Sequence, residues 1–157
     1  MGLDMYLYKK NYMRQGDFYK PEIVNEVIVK TGGEIDKRIK PERITYVVEE
    51  VGYWRKANQI HNWFVENVQN GNDNCGSYYV SRDKLQELLT LCKEVKADFN
   101  ETGGIRAHEI LPSASGFFFG GTEYDEWYFN GIDNTIRIIE ECFEDEHADD
   151  FEYSSSW

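Results

Sequence analysis

Proline and cysteine are both scarce, at three residues each in a chain of 157. Cys75, Cys92 and Cys142 are odd in number and widely separated. They offer neither a disulfide framework nor the paired ligand spacing of a zinc site. Free thiols in a reducing compartment are the simpler reading. No apolar run approaches the about 20 residues that span a bilayer. The start, Met1-Gly2-Leu3-Asp4-Met5, has no basic segment followed by a hydrophobic one. A soluble, cytoplasmic protein without a membrane partner is expected. Positive charge is in deficit too: 17 Lys and Arg stand against 29 Asp and Glu, for a net charge of −12. The deficit is uneven, +2 over residues 1–60 and −14 over the remaining 97. Such a surface repels a nucleic-acid backbone and suits a basic groove on another protein. Low-complexity tracts are absent, so a single α+β domain is expected over residues 1–146. Residues 147–157 read as an acidic, flexible tail.

Aromatic residues are what the chain has in quantity, at 15%. Their rings must supply much of the core. Residues 2–9 alternate, with Leu3, Met5 and Leu7 on one side and Asp4, Tyr6 and Tyr8 on the other, which marks a strand. Residues 22–30 suit a strand or a short helix, their β-branched density favouring strand. Thr31-Gly32-Gly33-Glu34 is a turn. Residues 44–51 form a second strand, and a helix follows over residues 53–69. Tyr53, Ala57, Ile60, His61, Phe64 and Val68 make its apolar stripe, with Arg55, Asn58 and Asn62 on one flank. Residues 77–80 are a short strand entering a helix capped by Ser81, whose stripe is Leu85, Leu88, Leu89, Cys92 and Val95. Two extended segments around Gly120-Gly121 suit a hairpin. A third helix starts within residues 130–133, with Ile132, Ile136, Ile139 and Phe143 facing inward. The sum is a mostly antiparallel sheet with about three helices covering one face.

Three polar and aromatic stretches lie beside element junctions, where binding groups usually sit. They are the helix after residue 53, the loop of residues 72–76 and the stretch of residues 113–128. Their convergence would gather Trp54, Arg55, Asn58, His61, Trp63, Asp73, Cys75, Phe118, Glu123, Asp125 and Trp127 into a ligand-binding surface. Rings there could stack a planar group, and cations and amides could clamp an anionic or amide-rich one. His61 falls on the apolar face, which favours a buried, hydrogen-bonded histidine over a base. Cys75 with His61 would be the only candidate thiolate–imidazole pair. Glu123 and Asp125 share a strand face and could meet Asp73 around a divalent cation, but no metal or other cofactor is expected from so sparse a set. The glycines at 116, 120 and 121 are not followed by the Lys and Ser or Thr of a phosphate loop. Turn geometry is their plainer role.

The chain resembles a widespread family of small phage and prophage proteins of uncharacterised function. The resemblance rests on Met1-Gly2-Leu3-Asp4-Met5-Tyr6-Leu7, on Tyr53-Trp54-Arg55-Lys56-Ala57-Asn58 with Ile60-His61 and Trp63-Phe64, and on Asn74-Cys75-Gly76. It continues in Leu111-Pro112, Ser115-Gly116-Phe117-Phe118-Phe119-Gly120 and Thr122-Glu123-Tyr124-Asp125-Glu126-Trp127-Tyr128. Members are sometimes labelled phosphoglycerate kinase, yet 157 residues cannot hold that two-domain enzyme and no nucleotide-phosphate motif is present. The resemblance implies a phage or prophage setting, hence the host cytoplasm, and an accessory role such as countering host defence. Two partners fit the residues: a nucleotide-like small molecule in the aromatic and cationic surface, or a basic host protein docked on the acidic half. A small hydrolase is a third class, and a homo-oligomer is compatible with all three.

Overall fold

The computed structural model describes residues 2–13 and 26–157. In chain order the elements are β1 (Asp4–Tyr12), β2 (Lys30–Thr31), β3 (Glu34–Ile35), β4 (Tyr46–Arg55), α1 (Asn58–Asn67), β5 (Ser77–Val80), α2 (Arg82–Thr102), α3 (Ala107–Ile110), α4 (Glu126–Phe143) and β6 (Phe151–Ser156). The strands β4, β1, β6 and β5 form an antiparallel sheet in that order, and with α1, α2 and α4 they give an α+β fold. Residues 1–9 and 50–157 make one compact unit and residues 10–49 a second, smaller one.

In the larger unit the alternation expected of β1 is present: Leu3, Met5 and Leu7 are fully buried. Its neighbour β6 lies in register, with Leu7 opposite Tyr153 and Met5 opposite Ser155. On the other side of β6, Val80 of β5 meets Phe151 and Tyr78 meets Tyr153. Phe151 and Tyr153 are fully buried, so the chain end expected to be a flexible acidic tail is an inner strand. Burying two such aromatic side chains outweighs the neighbouring acidic residues, at about 1.5–3 kcal/mol for each ring buried.

Helix α2 begins where Ser81 caps it, the side chain accepting a hydrogen bond from Lys84 N, and ends at Gly103 with φ of 81°. That left-handed closure costs a glycine little. Leu85, Leu88, Leu89, Cys92 and Val95 face the core as their spacing requires. Ile132, Ile138, Ile139 and Cys142 of α4 are buried with them. Lys93 with Glu140 (2.7 Å) and Lys96 with Asp133 (2.5 Å) bridge α2 and α4 on the solvent side. Exposed pairs of this kind add little stability, so the apolar stripes hold the two helices together.

Three local expectations are corrected. The helix does not begin at residue 53, because β4 continues through Arg55 and α1 starts at Asn58. Lys56 N donates to Leu3 O at 2.8 Å, which keeps the chain beside the sheet. Lys56 then turns with φ of 57° into the helix. No hairpin forms around Gly120-Gly121. That loop is irregular, held by Leu3 N donating to Phe118 O and Phe119 N to Gly116 O. Helix α4 starts four residues before the expected Asn130, at Glu126. Asp125 caps it, accepting from Trp127 N and Tyr128 N.

In the smaller unit, β2 and β3 form a two-residue hairpin through Gly32 and Gly33, with φ of 61° and 87°. Two successive positive φ values are what such a turn demands. Of the strand expected over residues 22–30, residues 22–25 lie outside the described residues, and only Lys30 belongs to a strand. Asp36 accepts hydrogen bonds from Arg38 Nε, Nη2 and N and from Thr31 Oγ1, which hold its carboxyl well below the usual range.

Candidate functional site

Helix α1 is buried on nearly every side, from Asn58 through Val65 except at Asn62. Its polar side chains must therefore find partners inside the protein. Asn58 is saturated by the loop before α4. Its amide nitrogen donates to Phe119 O (3.3 Å) and Gly121 O (2.7 Å), and its oxygen accepts from Ala114 N (3.1 Å). Gln59 Nε2 donates to Tyr128 O of α4 at 3.1 Å. His61 Nδ1 lies 2.8 Å from the Tyr153 hydroxyl of β6. One short helix thus pins a loop, a helix and a strand.

Beside these pins lies an open cleft of about 610 Å³. Its floor is Trp54, whose indole N–H donates to Thr135 Oγ1 at 2.9 Å. One wall is a face of α4: Trp127, Asn130, Gly131 and Asn134. These positions are spaced i, i+3, i+4 and i+7 and cover two helical turns, about 10 Å. Arg55 and Lys56 line the cleft from the end of β4, and Gly120, Gly121, Glu123 and Asp125 from the loop. A helix this close to α1 needs a glycine: a Cβ on Gly131 would stand 2.8 Å from Gln59 Nε2 and 3.6 Å from Ala57 Cβ.

Many cleft groups are already engaged. Trp54, Asn58 and Gln59 are bonded as above, Asp125 caps α4, and Asn134 donates to Tyr53 O while its oxygen accepts from Arg137. The remaining groups are Arg55, Lys56, Glu123, Asn130 and the indole of Trp127. Arg55 Nε is 3.9 Å from Asp4, a carboxylate that already accepts from the Tyr53 hydroxyl at 2.5 Å. Lys56 has no carboxylate within ion-pair distance among the described residues; its stem runs past the backbone of Gly120 and its Cε past Gly2. Trp127 is 82% exposed, an unusual placement for a ring that size.

Of the residues expected to converge, Trp54, Arg55, Asn58, Glu123, Asp125 and Trp127 do line this cleft, while His61, Trp63, Asp73, Cys75 and Phe118 are not among its lining residues. Trp63 is buried against Phe64. Phe118 turns with φ of 67° and meets Phe117 edge to face. His61 lies between Tyr153 and Asp73, with Nε2 3.2 Å from Asp73 Oδ2 but not aligned for a hydrogen bond. Burial pushes the imidazole below its ordinary value, and Asp73 opposes that shift. With both ring nitrogens turned to other groups, His61 cannot activate Cys75, which is exposed in a turn with φ of 54°. Asp73 also accepts from the Trp157 indole at 3.0 Å, so it serves the chain end and not a cation with Glu123 and Asp125. Among the described residues no group of three or more His, Cys, Asp or Glu side chains could hold a metal. No helix among them is long and apolar enough to cross a membrane.

Gly131, Asn130 and Asn134 escaped the sequence reading. The signal was present: beginning α4 at the Asp125 cap puts all three on the face of Trp127. Comparison with family models, with curated proteins and with solved structures gave no match for this chain.

Proposed function

We propose that the protein binds a nucleotide-like small molecule in the cleft between β4, α1 and the start of α4. The observation that carries this is a pair of adjacent cations, Arg55 and Lys56, in one cleft with an exposed Trp127, on a chain whose net charge is −12. Two adjacent basic side chains, Lys56 with no carboxylate within ion-pair distance among the described residues and Arg55 with only Asp4 at 3.9 Å, suit an anionic group. An open indole suits a planar ring. The volume falls in the range of small-molecule sites, roughly 300–1,000 Å³. The resemblance to small phage and prophage proteins suggests the setting, an accessory protein that withholds or senses such a molecule during a contest with host defences.

The alternative, an acidic mimic docked on a basic host protein, has weaker support. Many of its candidate carboxylates are taken up internally: Asp133 by Lys96, Glu140 by Lys93, Glu141 by Arg137, Asp145 by Lys9 and Asp149 by Arg82 N. Isothermal titration with linear and cyclic nucleotides at low salt tests the preferred reading. Saturable heat is expected with at least one, weakened about tenfold in Arg55→Ala, which is about 1.4 kcal/mol. No heat from any of them would overturn it.

A further inference from the structure

One cation of the cleft has a carboxylate beside it, and two further carboxylates line the same cleft. Behind Arg55 stands Asp4, 3.9 Å from its Nε and held in place by the Tyr53 hydroxyl. At the N-terminal end of α4 stand Glu123 and Asp125, both lining the same cleft. The N-terminus of α4 is itself closed to an anion, because the Asp125 carboxylate already accepts from Trp127 N and Tyr128 N. Positive potential is therefore confined to one corner, where Lys56 Cε and the Arg55 guanidinium both approach Gly2. The cleft has a polarity along α4. Asn134, tied to Tyr53 O, marks the end nearest β4, Trp127 stands two turns away, and the acceptors lie beyond it.

Resting on the nucleotide-binding reading, we propose that the ligand is a nucleoside monophosphate rather than a polyphosphate, lying in one orientation along α4. Its single phosphate sits between Arg55 and Lys56, its ring lies on Trp127, and the donor groups of its base edge face Glu123 and Asn130. Two cations match one phosphate dianion. A second or third phosphate would extend away from the base and past the Arg55–Lys56 corner toward Asp4, whose carboxylate lies 3.9 Å from Arg55 Nε, and like charges at short range repel without compensation.

Tryptophan fluorescence and calorimetry with AMP, ATP, adenosine and inorganic phosphate on the full chain test this. AMP is expected to bind at least tenfold more tightly than ATP and than adenosine. Asp4→Asn should narrow the AMP-to-ATP ratio several-fold, because it removes the negative charge beside Arg55, whereas Glu123→Gln, at the base end, should weaken AMP and ATP alike and leave the ratio unchanged. Glu123 is exposed, and the amide oxygen introduced by Asp4→Asn still accepts from the Tyr53 hydroxyl, so both variants should fold. ATP binding as tightly as AMP to the wild type, or a ratio unchanged in Asp4→Asn, would overturn the monophosphate assignment and leave nucleotide binding standing. Failure of all four probes, and of the other linear and cyclic nucleotides, would overturn both.

Discussion

Asn58 separates a structural account of this cleft from a ligand-contact account. Its side chain is 2% exposed and makes all three of its bonds to the loop: Phe119 O, Gly121 O and Ala114 N. Asn58→Ala removes all three. At about 1 kcal/mol net for each hydrogen bond, the variant should lose about 3 kcal/mol. For a domain this size that corresponds to a fall of about 6–12 °C in Tm. Asn58→Asp is the sharper perturbation. It keeps the shape and the bond from Ala114 N, but points a carboxylate at two carbonyl oxygens where the amide had donated. It should be at least as damaging at pH 7 as the alanine, and should recover on acidification, when one oxygen regains a proton to donate. Urea unfolding of the two variants at pH 7 and pH 4.5, each referred to wild type at the same pH, measures both effects. A loss under 1 kcal/mol in Asn58→Ala, or Asn58→Asp as stable as wild type at pH 7, would refute the claim that Asn58 holds the loop.

Gly131→Ala should cost about 0–2 kcal/mol, because the about 1–3 kcal/mol of forcing a methyl to 2.8 Å from Gln59 Nε2 is offset by about 1 kcal/mol of helix propensity in the interior of α4; thermal unfolding reads this directly. The histidine sets a pH dependence. Burial lowers the folded-state value of His61, so below about pH 6.5 the unfolded chain binds the extra proton first. Stability from this group is complete above that pH and is lost as pH falls toward the lowered value. Unfolding free energies of wild type between pH 5 and 7.5 should decline on the acid side more steeply than those of His61→Gln, and parallel curves would count against it.

What was legible in the sequence depended on whether a local pattern agreed with its tertiary surroundings. Strand β1 and helix α2 have one face in the core, so alternation and the Ser81 cap sufficed to find them, although β1 runs on to Tyr12, past the expected end at residue 9. Residues 53–57 also fit a helical stripe, but Trp54 is drawn under α4 by its bond to Thr135, and a Cβ on Gly52 would stand 2.7 Å from Ile138. No local rule contains those contacts. At the chain end, the alternation of Phe151, Tyr153 and Ser155 was masked by Asp149, Asp150 and Glu152. The cleft followed the same division. Trp127, Arg55 and the two loop carboxylates were found from residue type, whereas His61 and Trp63 were selected for chemistry that the fold uses in packing, and Phe118 is exposed but is not among the residues lining the cleft.

Residue type alone therefore overstates the site, and subtraction corrects it. Asn58, Gln59 and Trp54 line the cleft, yet each has its hydrogen-bonding groups turned to the protein. A ligand gains little from a group whose bond it would first have to break. Among the described residues Arg55, Lys56, Glu123, Asn130 and Trp127 have no side-chain hydrogen bond within the protein to give up, Arg55 having only the 3.9 Å approach of Asp4, so affinity and selectivity must come from these five. The two sets are coupled through the chain. Asn58 holds Gly121, two residues before Glu123, and Gln59 holds Tyr128, the neighbour of Trp127. Loosening either bond should therefore change the position of a ligand-facing group without touching it. A binding defect in Asn58→Ala accompanied by lost stability would follow from this coupling, whereas Trp127→Ala should weaken binding while leaving stability nearly unchanged.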